Sequence, residues 1–401
     1  MIRILLAAVV VLPTAALADA VTYKGTLGTH AIVVELSGPV EEASEPFVGR
    51  YFYLSQGVDI PLQPVTITPG AVELREEKPC VVEACSDYVA DASTITPEFG
   101  GSFRLTAQDS GQTLRGEWRE GDGEPLPVAL EFAGTRPLPE PFEGTPQALA
   151  AIVDEIGYGG VVLSEETSPY DYLKMRAPLE EGPEEPLGIG AYRVVTDPRT
   201  TLAFPRLVRA AGADTGPANA FLEARHRQLG TAALQCKSQQ YRGLSWAGQV
   251  PFGAGTLGGY EDEQVEATYL SPTLFGWTES GSLFCGGAHP YNHQNSYTLD
   301  LATGELFDVG KVLVASEALY AYVRDNRDKS EPAFDAECGI DELIEENLKL
   351  SFRDGDMVVF SLEGLPHVIG ACEGPLLEVP LADLKAFLAP EAAAYFPGLG
   401  G

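Results

Sequence analysis

Histidine is scarce in this chain, five residues in 401, so its placement carries information. His289 and His293 share a glycine-rich segment, Cys285-Gly286-Gly287-Ala288-His289-Pro290-Tyr291-Asn292-His293, and His367 closes a second loop, Gly364-Leu365-Pro366-His367. Two imidazoles and a tyrosine on one loop can bind a ligand, hold a metal or shuttle protons. The same groups also serve simply to hydrogen-bond backbone and fix a tight loop. The candidate ligand-binding residues are therefore His289, Tyr291, His293 and His367. An enzyme built on them would add a carboxylate such as Asp300 or Asp356. A zinc site would need three imidazoles within about 2.0–2.1 Å of one ion, which spacing alone does not establish. His30 sits at a strand entry and His226 on a charged helix face, where solvation is the ordinary reading. No catalytic residue, metal site or cofactor is assigned.

Six cysteines are present: Cys80, Cys85, Cys236, Cys285, Cys338 and Cys372. No Cys-x-x-Cys pair occurs among them, which argues against a zinc-thiolate site. An even number in an exported chain reads as disulfides, and the simplest scheme pairs neighbours: Cys80 with Cys85, Cys236 with Cys285, Cys338 with Cys372. On the chain-entropy model the two longer loops would contribute roughly 4 kcal/mol each and the short one about 2. Two apparent catalytic motifs fail on context. Gly253-Ala254-Gly255-Thr256-Leu257-Gly258 has the dinucleotide fingerprint but leads into Glu261-Asp262-Glu263 and a β-textured segment, whereas a pyrophosphate needs a helix N-terminus. Gly243-Leu244-Ser245-Trp246-Ala247 nearly matches a nucleophile elbow but continues as a strand.

The first twenty residues read as an export signal. Arg3 supplies the positive start, Ile4 to Leu12 an apolar run, and Ala16-Leu17-Ala18 a cleavage site, leaving Asp19 or Val21 as the mature start. The run is too short to anchor a chain in a bilayer. A periplasmic or secreted protein without a membrane anchor is expected. Asp and Glu number 58 against 26 Lys and Arg, a net charge of -32. Such a polyanion repels nucleic acid and anionic lipid and favours a cationic partner or plain solubility.

The elements that must hold these groups divide the chain by texture. Residues 21–136 show short runs rich in Val, Ile, Tyr and Phe, punctuated by turns such as Asp109-Ser110-Gly111, and predict an all-β domain, a small antiparallel barrel or sandwich. Residues 137–167 read as a linker: Arg136-Pro137-Leu138-Pro139-Glu140-Pro141 should be extended and outside either core, and Thr145 can cap a short helix starting at Pro146. Residues 168–390 mix strands and helices without a βαβ period, an α+β domain. Strands are expected at 172–176, 191–196, 244–250, 265–275, 296–301, 357–362 and 376–380. Helices are expected at 219–234, 316–324, 341–350 and 382–388, with an acidic turn at 180–186 and a tail at 391–401.

The Cys285-to-Pro290 loop, followed by Tyr297-Thr298-Leu299-Asp300-Leu301-Ala302-Thr303-Gly304-Glu305, resembles an envelope domain of unknown function. That domain is shared by lysozyme-sensing anti-sigma factors and some peptidoglycan deacetylases, and it carries a Gly-Gly-Ala-His loop, a strand and a Thr-Gly turn. The stretch from Gly374-Pro375-Leu376 to Leu388 is similar to its end, so the resemblance spans roughly 168–390. It implies an α+β envelope domain and a lysozyme-like muramidase as a cationic partner. The chain shows no anchor, sigma-binding part or deacetylase domain, so sigma regulation is not implied. Gly49-Arg50-Tyr51-Phe52-Tyr53 with Asp59-Ile60-Pro61-Leu62 resembles small β-domains of uncharacterised exported proteins. Two functions follow as expectations. One is a non-enzymatic exported protein that binds a cationic protein or a cell-wall component. The other is an envelope hydrolase or metal-dependent enzyme using His289, His293 and His367.

Overall fold

The computed structural model describes residues 19–80, 97–150, 164–244, 263–283, 291–330 and 332–396. Its N-terminal part is a closed antiparallel barrel of eight strands in sequence order, the β1–β8 pairing sealing the sheet. The strands are β1 (Asp19–Leu27), β2 (His30–Leu36), β3 (Gly49–Tyr53), β4 (Ile60–Thr68), β5 (Ala71–Glu77), β6 (Phe99–Gln108), β7 (Thr113–Arg119) and β8 (Leu126–Pro137). Inward positions alternate along each strand, and Tyr23, Val34, Tyr51, Leu74, Phe103 and Leu130 belong to one buried cluster. An eight-stranded barrel is just wide enough for side chains to fill it, so the interior is a core and not a channel. Gly116 is required where β6 and β7 press together, since a Cβ there would stand 1.8 Å from the Arg104 carbonyl oxygen.

The outer face of the barrel is where the fold departs from a solvated sheet. Glu35 on β2 lies opposite Arg50 on β3, with Val33 opposite Phe52 one register step along. Helix α1 (Pro146–Ala150) and helix α2 (Pro169–Met175) follow the barrel, and α2 covers this face. Tyr170 meets Phe52 edge-on at 4.9 Å between ring centres. The charges under the cover are paired among themselves. Arg50 donates from Nε to Glu35 at 2.7 Å, from Nη1 to Asp59 at 3.1 Å and from Nη2 to Asp171 at 3.1 Å. Arg136 donates to the second oxygen of Glu35 at 2.6 Å, and Lys174 to Asp59 at 2.6 Å. The Tyr170 hydroxyl donates to Asp59 at 2.7 Å, and the Arg50 guanidinium lies 4.1 Å from the Tyr170 ring centre. Three carboxylates and three cations thus balance in a region that solvent does not reach.

Beyond the barrel come three small sheets. The first comprises β9 (Glu180–Leu187), β10 (Gly190–Thr196) and β11 (Ala203–Arg209), packed by the long helix α3 (Gly216–Ser238). The second is β12 (Gln264–Leu270), β13 (Leu274–Leu283), β14 (Tyr291–Asp300) and the short β15 (Glu305–Leu306). Helices α4 (Glu317–Asn326), α5 (Pro332–Cys338) and α6 (Ile340–Asn347) precede the third sheet, β16 (Leu348–Arg353), β17 (Met357–Leu362) and β18 (Gly374–Pro380), and α7 (Ala392–Tyr395) ends it. Phe204, Leu222, Phe275 and Trp277 form one core under α3, and Val323, Ile344, Phe352 and Phe360 another under the third sheet. The chain is therefore an all-β barrel followed by an α+β region, as expected. No described helix is long and apolar enough to cross a membrane.

The barrel and the following region are joined by backbone as well as charge. Asp59 N–H donates to Ser238 Oγ on α3 at 2.8 Å, and Gly243 N–H donates to Glu77 at 2.8 Å. A cavity of about 20 Å³, room for one water, lies at this junction between Arg50, Lys174, Gln147 and Gln235.

Several local expectations are corrected. Residues 172–176 are helical, because Ser168-Pro169 starts α2 there; Tyr170 and Lys174, four apart, both point at the barrel. The acidic segment 180–186 is strand β9, an edge strand whose glutamates point to solvent. Residues 265–275 are broken by a turn held by Ser271, whose Oγ accepts from Thr273 and Leu274 N–H groups. The helix expected at 341–350 ends at Asn347, where β16 pairing takes over, and starts from a left-handed Gly339 (φ +62°) without a side-chain cap. The segment 382–388 is a 3₁₀ turn, Leu381–Phe387. The run from Arg136 does join the core: Arg136 is fully buried and Leu138 packs with Ala20 and Leu149. Of the strand expected at 244–250, only Leu244 is described, ending a 3₁₀ turn.

Arg50 reaches three carboxylates in three directions, which a single ammonium on a flexible stem does not reproduce. Arg50→Lys should therefore destabilise the protein by about 3 kcal/mol in urea unfolding, and Arg50→Met by more, since three buried carboxylates would face two cations. A loss under about 0.5 kcal/mol for both would show that the network is not what holds α2 on the barrel.

Candidate functional site

Strand β14 carries the histidine motif and is polar along most of its length. Antiparallel pairing sets Gly281 of β13 opposite His293, Glu279 opposite Asn295 and Trp277 opposite Tyr297. On the other side of β13, Gln264 lies opposite Ser280. Extending that ladder by one residue places Glu263 beside Gly281. Glu263 and His293 thus flank a glycine, and their side chains meet across the space a side chain would have filled. His293 Nε2 stands 3.2 and 3.1 Å from the two Glu263 oxygens. Both side chains are buried, at 5% and 1% exposure. Burial pushes the Glu263 carboxyl above the usual carboxylate range against the pull of His293, and the charge of Glu279 adds to the rise.

Glu279 continues the site two residues along β13. It accepts from Arg225 of α3 at 2.7 Å and from Trp277 Nε1 at 3.0 Å. Trp277 stacks on Tyr297 at 5.0 Å with the planes 18° apart. The aromatic pair and the Arg225–Glu279 bridge fix this face of the sheet against α3.

The opposite edge of β14 is satisfied in an unusual way. From Gln294 to Ser296 it has no neighbouring strand among the described residues, and two carboxylates take the place of strand carbonyls. Gln294 N–H donates to Glu373 at 3.0 Å and Ser296 N–H to Glu363 at 2.9 Å. The other Glu373 oxygen accepts from Leu365 N–H at 2.7 Å. Burial also pushes the Glu363 carboxyl up, against its Ser296 hydrogen bonds. These two glutamates bracket the 3₁₀ turn His367–Cys372, so the turn bearing His367 lies along the strand bearing His293. The Cys338–Cys372 disulfide ties the same turn to the end of α5, with its Cα atoms 5.8 Å apart.

The sequence-derived groups are therefore partly assembled. The strand bearing His293 and the turn bearing His367 run side by side, although the His293 side chain reaches across β13 to Glu263, and the expected Cys338–Cys372 bond is formed. Tyr291 opens β14 as backbone, while its side chain and that of His367 lie outside what is described. His289 also lies outside the described residues. Cys80 and Cys236 are each disulfide-bonded, but their expected partners Cys85 and Cys285 lie outside those residues too. Asp300 and Asp356 do not join His293. Asp300 ends β14 seven residues on, about 23 Å along an extended strand, and bonds Ala302 N–H. Asp356 sits in the β16–β17 turn and accepts from the Tyr269 hydroxyl at 2.9 Å. Among the described residues no group of three His, Cys, Asp or Glu side chains is placed to hold a metal ion. Glu263, Glu279, Arg225, Glu363 and Glu373 were not expected, because their roles rest on pairings 30 to 79 residues apart.

His226 corrects the solvated reading. It is buried, stacked on Phe204 at 5.7 Å, with Nδ1 3.1 Å from Arg206 Nη2 and Nε2 3.2 Å from the Leu202 carbonyl oxygen. Arginine can only donate and a carbonyl can only accept, so the neutral Nε2–H tautomer satisfies both. Burial pushes this imidazole down to about 4, and the Arg206 charge adds to it. The unfolded histidine, near 6.5, then binds more protons than the folded one between those values. Stability should fall as pH drops through that window, by about 3 kcal/mol in full. Urea midpoints at pH 4.5 and 7.5, compared with those of His226→Gln, isolate this contribution. The wild type should lose more on acidification than the variant, and parallel profiles would overturn the assignment.

No family model and no curated protein matches the chain, so the site is read from its own geometry.

Proposed function

We propose that the chain is an exported envelope protein that binds a cationic protein without turning it over, a lysozyme-like muramidase being the partner the resemblance implies. The observation that carries this is the net charge of -32, together with where the carboxylates stand. Glu180, Glu181, Glu184 and Glu185 line the exposed edge strand β9, and Asp341, Glu342, Glu345 and Glu346 lie exposed on α6. The basic groups near them are outnumbered: Arg193 pairs with Glu181, Arg209 with Glu184 and Arg327 with Asp341. Such a surface attracts a polycation over a distance and repels phosphate and anionic lipid. Strand β14 and the 3₁₀ turn His367–Cys372 beside it supply the shaped polar face, with His293 held by Glu263. Export is supported by the leader and by cysteines of which none, among the described residues, is free.

Purified protein should bind hen lysozyme at low ionic strength, and the affinity should weaken at least about tenfold between about 20 and 200 mM salt. Absence of a calorimetric or anisotropy signal at the lower salt would sink the muramidase reading. The processing site follows from the barrel. Ala20 is fully buried, and Asp19 and Ala20 pair with Pro137 and Arg136 in the β1–β8 seam. Cleavage after Ala20 would remove that part of the seam. The exported protein should therefore begin at Asp19 by intact mass, and a start at Val21 would contradict this reading.

A further inference from the structure

A cleft of about 380 Å³ opens at the end of the second sheet remote from His293. Its walls come from four separate places: the β9–β10 turn (Gly188, Ile189), the β12–β13 turn (Ser271, Pro272), the β16–β17 turn (Asp354 to Asp356) and the end of α7 (Tyr395, Phe396). The turns are held against one another. Gly188 N–H donates to Asp354 Oδ2 at 3.3 Å. A Cβ on Gly188 would lie 2.4 Å from the Leu270 carbonyl oxygen, so the β9–β10 turn is pressed onto the end of β12. Tyr269 fixes Asp356 from beneath at 2.9 Å. The floor is rigid, since Tyr269 packs on Phe352 and Phe396, with ring centres at 5.7 and 6.1 Å.

Two properties of the cleft point to one kind of occupant. First, its lining combines apolar side chains (Ile189, Pro272, Tyr395, Phe396) with two carboxylates, Asp354 and Asp356. Ile189, a large hydrophobic side chain, stands 48% exposed at its rim near Pro272. Second, Asp354 and Asp356 have no basic partner among the described residues, while the neighbouring Arg353 is turned to Glu378 at 3.1 Å. The glutamates of β9 lead directly into the turn that carries Ile189. A long aliphatic stem with a cation at its tip matches such a wall, because lysine and arginine lay their methylenes on apolar surface and keep the charge in polar surroundings.

We propose that this cleft receives an arginine or lysine side chain of the cationic partner, its stem against Ile189, Pro272 and Tyr395 and its charged end toward Asp354 and Asp356. The inference rests on the cationic-partner reading but adds a docking point separate from the histidine loops.

A fluorescein-labelled tetra-arginine peptide, titrated into the full chain and followed by anisotropy, probes the cleft without presuming the natural partner. Asp354→Asn with Asp356→Asn is the informative variant, because asparagine accepts the left-handed conformation of residue 356 (φ +55°) and can still accept from Tyr269. Asp122→Asn with Glu124→Gln, exposed in the turn between β7 and β8 of the barrel, removes the same charge away from the acidic surfaces named above. The cleft variant should weaken peptide binding at least about fivefold and the barrel-turn variant less than about twofold. Ile189→Ser, which changes no charge, should weaken it roughly threefold. Equal effects of the two charge variants, no effect of Ile189→Ser, or no binding by the wild type would each overturn the proposal. Lysozyme titration of the same proteins separates the two ideas. Wild-type lysozyme binding that the cleft variants leave unchanged would remove the cleft and keep the cationic partner, whereas cleft-dependent peptide binding without lysozyme binding would do the reverse. Unchanged thermal midpoints confirm that the variants fold.

Discussion

Six buried charges beneath α2 set the relation of the barrel to everything that follows it. Moving ions out of water costs several kcal/mol each, and the cost is recovered only when every charge finds well-placed opposite partners. Arg50 meets this condition with three carboxylates contributed by β2, the segment before β4, and α2. A helix docked one turn out of place would strand Asp171 and Lys174 away from their partners. The network is thus better understood as fixing one docking geometry than as adding net stability. It extends to α3 through Ser238, so the second part of the chain inherits its placement from charges on the outside of the barrel.

The buried acids around β14 obey the same rule with a different result. Beneath α2 burial acts to raise the Asp171 carboxyl, but the charges of Arg50, Lys174 and Arg136 outweigh it and hold it low. Around β14, Glu263 and Glu363 are both pushed up, because burial there is not matched by equivalent cations. One cluster is electrically closed and the other is not. Glu363 and Glu373 are also committed to a backbone task, since they satisfy N–H groups that an exposed strand edge would otherwise offer to any passing chain.

How much of this was legible in the sequence depends on the range of the interaction. The barrel follows from alternation and turn residues, both local, and its strands lie close to where Val, Ile, Tyr and Phe cluster. The switch of 172–176 from strand to helix was hidden, because Tyr170 and Lys174 are chosen by partners on the barrel more than a hundred residues away. Arg136 was read with the prolines that follow it, although its side chain is committed to Glu35. His226 shows the same limit: its neighbours in sequence are charged, and its neighbours in space are Phe204 and Leu202. Arg50, Phe52 and Asp59, which belong to a segment resembling small exported β-domains, have physical roles in and over the buried network. Within the candidate site, the Cys338–Cys372 tie was legible in the sequence, whereas the carboxylates that hold β14 were not.

The distance between the two polar ends of β14 bears on what kind of partner fits. The strand runs from Tyr291 to Asp300, and at about 3.3 Å per residue its ends are roughly 30 Å apart. Tyr291 and His293 mark one end. At the other, Leu301 N–H bonds the Thr273 carbonyl in the turn that walls the acidic cleft. A typical protein interface covers about 800 Å² on each partner, a patch about 30 Å across. A small molecule would occupy one end only. The folded, basic partner proposed above has the dimensions and charge to engage both ends of the strand at once.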